Sequence, residues 1–122
     1  GFNQIVQLLS YEKEPFSLGV LLNDNPADGQ DVSWIWDGDF EWLHALNAVD
    51  TAISGIRVED LGVRMEVAGF EKMKVFKTNA ELIDWIRKAP TKKVNVLATY
   101  TALLDLRKDF AKEGYLKEGM NG

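Results

Sequence analysis

Two aspartates and two tryptophans lie close together in one short acidic segment of the 122-residue sequence. Asp31 and Asp37 flank Trp34 and Trp36, and in an extended chain the carboxylates would lie on one side and the indoles on the other. Such carboxylates could coordinate a hard cation, act on a substrate, or orient an imidazole by accepting a hydrogen bond from its N–H. The last role needs only one well-placed acid.

The charges of the sequence are unevenly distributed around this segment. Residues 14–56 include eight acids and no lysine or arginine, and six of those acids fall between Asp24 and Glu41. One interpretation is an acidic loop that carries a functional site, with Trp34 and Trp36 contacting a partner. The alternative is a solvated connection in which the two indoles pack against the core beneath the loop and hold it in place.

Composition excludes several classes of function. The formal net charge of −5 argues against nucleic acid or an anionic membrane as the main partner. The sequence has no cysteine, so this chain supplies neither a thiol nucleophile nor a thiolate zinc site. Its one histidine, His44, is expected to be an ordinary helix residue. Because the sequence also lacks a phosphate-binding loop and a histidine pair, we expect no cofactor and no metal in this chain.

Strands and helices are predicted to alternate along the chain. The predicted strands are residues 16–22, 51–53, 74–76 and 94–98, and the predicted helices are residues 2–9, 40–49, 59–68, 80–88 and a last one through Leu103, Leu106 and Phe110. This order predicts an α/β fold in three layers, with a mostly parallel sheet flanked by helices. The acidic loop then lies at the carboxyl ends of the strands, where such sheets carry their functional surface. The tail from Gly114 is expected to fray.

Other polar residues near this edge have more ordinary interpretations. Asp24 and Asp28 are expected to form turns through hydrogen bonds to their own backbone. Arg64 is expected to form a surface salt bridge, and Thr101 to satisfy backbone groups. For Arg57, contact with a substrate phosphate or with the acids of a partner stays open.

Four segments of the sequence resemble the carboxy-terminal domain of the MurT family. They are LLNDNPADGQDVSWIWDGDFE (residues 21–41), SGIRVEDLGVRMEVAG (54–69), TYTALLDLR (99–107) and the opening GFNQ. MurT proteins are Mur-ligase-like subunits of lipid II isoglutaminyl synthase, and the likeness extends from Gly1 to about Gly114. It implies that residues 1–122 form a single Mur-ligase C-terminal-type, Rossmann-like domain, a fragment of a longer chain whose ATP-binding central domain is absent here.

The resemblance also implies an enzyme made of two chains. A GatD-like class I glutaminase releases ammonia from glutamine with a Cys-His pair, and the MurT-type subunit uses ATP and Mg²⁺ to activate the D-glutamate α-carboxylate of lipid II. Ammonia then converts this carboxylate to the amide of D-isoglutamine during peptidoglycan synthesis. We therefore expect a cytoplasmic ligase heterodimer of cell-wall synthesis, without a transmembrane segment, and an isolated domain that is inactive.

The resemblance further implies that an aspartate of this domain completes the Cys-His pair of the glutaminase across the subunit interface. The matching residue is Asp31, and Asp37 is the second choice. Trp34 and Trp36 are the expected partner-binding residues.

The residues themselves also allow two other functions. One is a non-catalytic α/β protein-interaction module, and the other is a receiver-like module. A receiver needs an aspartate at the end of its middle strand and a lysine after a later strand. Ser54 and Gly55 occupy the first place and Thr99 follows the last strand, so the receiver pattern is not met.

Overall fold

Residues 1–114 fold around one sheet of four parallel strands with helices on both faces. The computed structural model describes residues 1–114. The strands are β1 (Phe16–Leu21), β2 (Thr51–Ser54), β3 (Met73–Val75) and β4 (Lys93–Ala98), in the spatial order β3-β2-β1-β4. The helices are α1 (Phe2–Ser10), α2 (Phe40–Ala45), α3 (Val58–Ala68), α4 (Asn79–Arg87) and α5 (Tyr100–Lys112). The predicted three-layer α/β fold is confirmed.

Strand β1 lies inside the sheet because its sequence allows both of its faces to be covered. All six of its residues are buried. Leu18 and Val20 belong to the core that α1, α2 and α3 cover, whereas Leu21 belongs to the core under α4 and α5. On the α4 side, Gly19 packs closely under Trp85 and Val96: a Cβ there would lie 3.7 Å from the Trp85 ring and 3.5 Å from the Val96 side chain. Two apolar cores, one on each face, therefore hold the three layers together.

Local signals end α3 and begin α4 as the sequence predicts. Gly69 ends α3 with a φ of 118°, a left-handed conformation that glycine adopts readily. Thr78 caps α4 by accepting a hydrogen bond from the Glu81 N–H. Helix α2 is shorter than predicted, ending at Ala45 instead of residue 49, because Asn47 adopts a φ of 57° and turns the chain towards β2.

For the other strands and helices with predicted bounds, those bounds lie within one residue of the bounds in the structure. Residues 115–122, most of the tail that is expected to fray, lie outside the described residues. Among residues 1–114, none of the helices has the length and the apolar composition that crossing a membrane requires.

Gly55, which follows β2, passes directly against the main chain that follows β1. Its φ is 109°, and a Cβ at this position would lie 2.4 Å from the carbonyl oxygen of Leu22. A side chain here would therefore have to displace backbone, at the edge of the sheet where the acidic loop begins.

Gly55→Ala is expected to lower the free energy of unfolding by about 2 kcal/mol or more, because both the positive φ and the contact with Leu22 oppose a side chain. Gly62→Ala is the matched control inside α3, where a Cβ would meet only Ile53, at 3.4 Å. The control should be neutral or more stable by about 0.5–1 kcal/mol. Urea unfolding measures both variants, and equal midpoints would contradict the prediction.

Candidate functional site

The order of the strands reverses direction between β1 and β4. From β1 the chain continues to β2 and β3 on one side of the sheet, and it then returns to place β4 on the other side of β1. Binding sites in open parallel sheets lie at such points, at the carboxyl ends of the strands. The acidic loop (residues 22–39) runs over this edge and contains two short 3-10 helices, Pro26–Asp28 and Ser33–Trp36. We call the second one the tryptophan turn.

Polar side chains attach the beginning of the acidic loop to α5. The Thr101 hydroxyl donates to Asp28 Oδ2 at 2.5 Å and accepts from the side-chain amides of Asn23 and Asn25 at 3.0 and 2.9 Å. Asp28 Oδ1 accepts from the Thr101 N–H at 2.7 Å, which satisfies a donor in the first turn of α5. Burial opposes the ionisation of Asp28, but the hydrogen bonds from Thr101 and Asn25 outweigh it and lower its pKa.

These contacts decide three of the expectations for single residues. Asp28 does form a turn, since its carboxylate accepts from the Asn25 N–H at 3.1 Å. The prediction for Thr101 is wrong, because its hydroxyl binds three side chains instead of backbone groups. The turn-forming role predicted for Asp24 is also wrong: its carboxylate pairs with Arg57 at 3.0 Å, and Arg57 also pairs with Asp60 at 2.7 Å.

The segment of residues 31–37 is not extended, so the predicted alternation of acids and indoles across a strand is wrong. The Ser33 N–H donates to Asp31 Oδ1 at 2.8 Å, a local bond of the kind that starts a turn. Val32 and Ile35 are three residues apart and both are buried, a spacing that a 3-10 helix places on one side. Burial of these two apolar side chains decides the conformation.

A buried arginine of α3 contacts the acidic loop from the side of the core. Only 4% of Arg64 is exposed, so the predicted salt bridge exists but is not on the surface. Its guanidinium donates to both carboxylate oxygens of Glu41, at 2.7 and 2.9 Å. It also donates to the main-chain carbonyls of Ile35 at 2.6 Å and Gly38 at 2.9 Å. A buried charge needs such partners, because otherwise the loss of water would strongly destabilise it.

Aromatic rings pack around this arginine and the first turn of α1. The Arg64 guanidinium lies 5.3 Å from the centre of the Trp36 ring and 5.0 Å from that of Phe40. Phe2 stacks on Phe40 at 4.3 Å and contacts Trp34 at 5.8 Å. Trp34 and Trp36 nevertheless remain 37% and 52% exposed. The two indoles therefore pack on Phe2 and Arg64 and also present apolar surface to solvent.

Asp31 and Asp37 are exposed on either side of the tryptophan turn. Hydrogen bonds from the main-chain N–H and the hydroxyl of Ser33 lower the pKa of Asp31, so this carboxylate is ionised at neutral pH. Within residues 1–114, no lysine or arginine forms an ion pair with either acid. The same residues include no group of three acidic or histidine side chains placed to hold a metal ion.

Sequence reasoning did not identify Glu41, Asn23 or the burial of Arg64 as part of this site. A signal for Arg64 exists, because it follows Leu61 by three residues and therefore lies on the buried side of α3. His44 lies exposed on α2, where its ring packs edge-on against Phe70 at 5.0 Å.

Comparison with known proteins identifies the family. Residues 1–103 match the family model described as MurT ligase C-terminal. The chain belongs to this MurT family. It is 35% identical over 123 residues to the lipid II isoglutaminyl synthase (glutamine-hydrolyzing) subunit MurT of Streptococcus pneumoniae (strain ATCC BAA-255 / R6), a match that covers 99% of this chain and 28% of that protein.

The MurT subunits of Staphylococcus aureus strains COL and N315 are 37% identical to this chain over 71 residues. These matches cover 54% of the chain and 16% of each of those proteins. The chain thus spans less than a third of the length of the relatives it matches.

The assignment to MurT confirms the resemblance that the sequence segments carry. Two of these segments, residues 21–41 and 54–69, contact each other directly, since Arg64 of the second binds Glu41 of the first. The fold therefore brings these two segments of the sequence together at one place.

Glu41→Gln is expected to destabilise the protein in a pH-dependent way, because the hydrogen bonds from Arg64 lower the pKa of Glu41 from 4.5 to about 2. The folded-state pKa lies below the unfolded one, so ionised Glu41 favours the fold above pH 4.5 and loses this effect as the pH falls towards about 2. Thermal unfolding from about pH 7 down to about pH 2.5 measures the difference from the wild type. A difference that stays constant over this range would contradict the prediction.

Proposed function

We propose that this chain is the carboxy-terminal domain of an ATP-dependent amidotransferase subunit that acts on lipid II. With a glutaminase partner, the complete enzyme would convert the D-glutamate α-carboxylate of lipid II to the D-isoglutamine amide. The support is the family, whose relatives are named as subunits of a glutamine-hydrolyzing lipid II isoglutaminyl synthase. A GatD-like class I glutaminase is the partner we propose for this chain.

Within this complex, we assign to Asp31 the completion of the partner's Cys-His site. One observation carries this assignment: Asp31 is exposed and ionised, is oriented by Ser33, and pairs with no cation among residues 1–114. Such a carboxylate is available to a group that arrives from another protein. Had it been enclosed in an ion pair, it would not be available for this role.

Completion of the Cys-His site needs only a carboxylate that points towards the histidine of the partner. By accepting a hydrogen bond from one imidazole N–H of the partner, Asp31 would fix the tautomer of that histidine and orient its other nitrogen towards the cysteine. It would also stabilise the imidazolium, and thereby favour the thiolate that attacks glutamine. This chain contributes neither the cysteine nor the histidine.

Asp31 is preferred to Asp37 because a hydrogen bond fixes its direction. The carboxylate of Asp31 accepts from the Ser33 N–H, whereas in the described part of the chain no hydrogen bond or ion pair of the Asp37 carboxylate is present. An acid that is already oriented loses less conformational freedom when it binds a partner.

ATP and Mg²⁺ belong to the complete enzyme in this proposal, and we assign the binding of neither to residues 1–122. The nucleotide activates the D-glutamate carboxylate, which then reacts with the ammonia that the glutaminase releases. We place the complex in the cytoplasm, where ATP is available.

Asp31→Asn in the complete protein, assayed with its glutaminase partner, is expected to reduce glutamine hydrolysis by about 10⁴-fold, by analogy with the same change in a Ser-His-Asp triad. The amide keeps the shape of the side chain but no longer stabilises the imidazolium. Complex formation, measured by gel filtration, should persist.

Asp37→Asn is the matched control, since it removes the same charge from the other side of the same turn. This variant should retain most of the activity. Near-normal hydrolysis by Asp31→Asn would contradict the proposal, and a non-catalytic protein-interaction module would behave in that way. A large loss confined to Asp37→Asn would transfer the role to Asp37.

Trp36→Ala is expected to weaken binding of the glutaminase by about 2 kcal/mol, or roughly 30-fold in Kd, because half-exposed indoles beside a functional acid are typical binding hot spots. Tyr11→Ala is the control: Tyr11 is also exposed but lies at the other end of α1, away from Phe2. Calorimetric titration measures both affinities. An unchanged affinity for Trp36→Ala, or an equal loss for Tyr11→Ala, would contradict a docking role for Trp36.

A further inference from the structure

Arg64 makes more contacts than a stabilising salt bridge requires. An ion pair with Glu41 would satisfy its charge, yet the guanidinium also donates to two main-chain carbonyls of the acidic loop. Those carbonyls belong to Ile35, inside the tryptophan turn, and to Gly38, just after it. The planar group therefore fixes two points of the loop and the first turn of α2 relative to α3.

The turn that Arg64 binds is also the one that orients Asp31. The Ile35 N–H donates to the Val32 carbonyl at 3.2 Å, and the Ser33 N–H donates to the Asp31 carboxylate at 2.8 Å. A displacement of Ile35 would therefore move the N–H that orients the acid. Three hydrogen bonds, from Arg64 to Ile35, from Ile35 to Val32 and from Ser33 to Asp31, therefore connect the guanidinium to the carboxylate.

We propose that Arg64 is a positioning residue for glutamine hydrolysis, which acts by holding the tryptophan turn so that Asp31 faces the histidine of the partner. This inference rests on the proposed function of Asp31. Arg64 itself is buried, so its role in this proposal is exerted through the turn and not by contact with substrate. Arg64 contributes by keeping the carboxylate of Asp31, in the acidic loop, oriented towards the partner.

Lysine cannot replace arginine in this role, although it keeps the charge. A single ammonium is a point donor, whereas the guanidinium reaches Ile35, Gly38 and both oxygens of Glu41 in one plane. Arg64→Lys should therefore retain an ion pair with Glu41 and lose the contacts that fix the turn.

The test is steady-state glutamine hydrolysis by the complete protein in complex with its glutaminase partner. Arg64→Lys is expected to lower kcat by roughly 10- to 100-fold, the size of effect that follows from misplacing a catalytic group by about 1 Å. KM for glutamine should change little, because the partner binds glutamine. Arg87→Lys is the control, since Arg87 forms an ion pair with Asp84 on α4, and it should leave kcat unchanged.

A double-mutant cycle separates positioning from general stabilisation. If Arg64 acts through Asp31, adding Arg64→Lys to the Asp31→Asn protein should lower kcat by less than about twofold further. If the loss caused by Arg64→Lys is the same in both backgrounds, or if the single variant has normal kcat, the inference is overturned. Failure of the proposed function is a different result, in which Asp31→Asn alone has no effect.

If the Arg64→Lys protein does not fold, Glu41→Gln takes its place in the same double-mutant cycle. Glu41 is mostly exposed, and its change to an amide weakens the hold on the guanidinium without emptying the buried site. A loss of kcat that disappears in the Asp31→Asn background supports the inference. An unchanged kcat, or a loss that persists in that background, overturns it.

Discussion

The buried guanidinium of Arg64 is the constraint on which the shape of the acidic loop depends. A charge that has left water must be surrounded by acceptors, and within residues 1–114 the acceptors of the Arg64 guanidinium all come from residues 35–41. The loop must therefore bring two carbonyls to the point where α2 brings the carboxylate of Glu41. The tryptophan turn and the first turn of α2 achieve this together. Satisfaction of one buried charge thus decides where the exposed groups of the loop lie.

A second constraint acts where the loop begins, through the buried amide of Asn23. Its N–H and its side-chain amide donate to the hydroxyls of Thr99 and Thr101, and its Oδ1 accepts from the Ile56 N–H at 2.9 Å. One side chain thereby joins the segments that follow β1, β2 and β4. Parallel strands make this possible, because their carboxyl ends meet at one edge of the sheet. The acidic loop therefore leaves the sheet from a fixed point, and Arg64 fixes its far end.

Apolar periodicity predicts most of this fold, but not the conformation of the loop. Strand β1 is recognisable because Pro15 and a cluster of turn residues bound its apolar run. Residues 31–37 fit two periods at once: the acids and indoles alternate as in a strand, whereas Val32 and Ile35 are spaced as in a 3-10 helix. Only the neighbouring core decides between them. The contacts of Asn23 with Thr101 and of Arg64 with Glu41 join distant residues, so no local pattern reveals them.

The exposure of Asp31 gives a physical reason why glutamine hydrolysis would depend on assembly under the proposed function. In the free chain, water around the carboxylate weakens its interaction with any imidazole. Docking of the partner against Trp34 and Trp36 would exclude that water, and the same charge would then act more strongly because the local dielectric constant falls. A carboxylate already oriented by Ser33 needs no rearrangement at that moment. Ammonia would then be released only where a ligase is present to consume it.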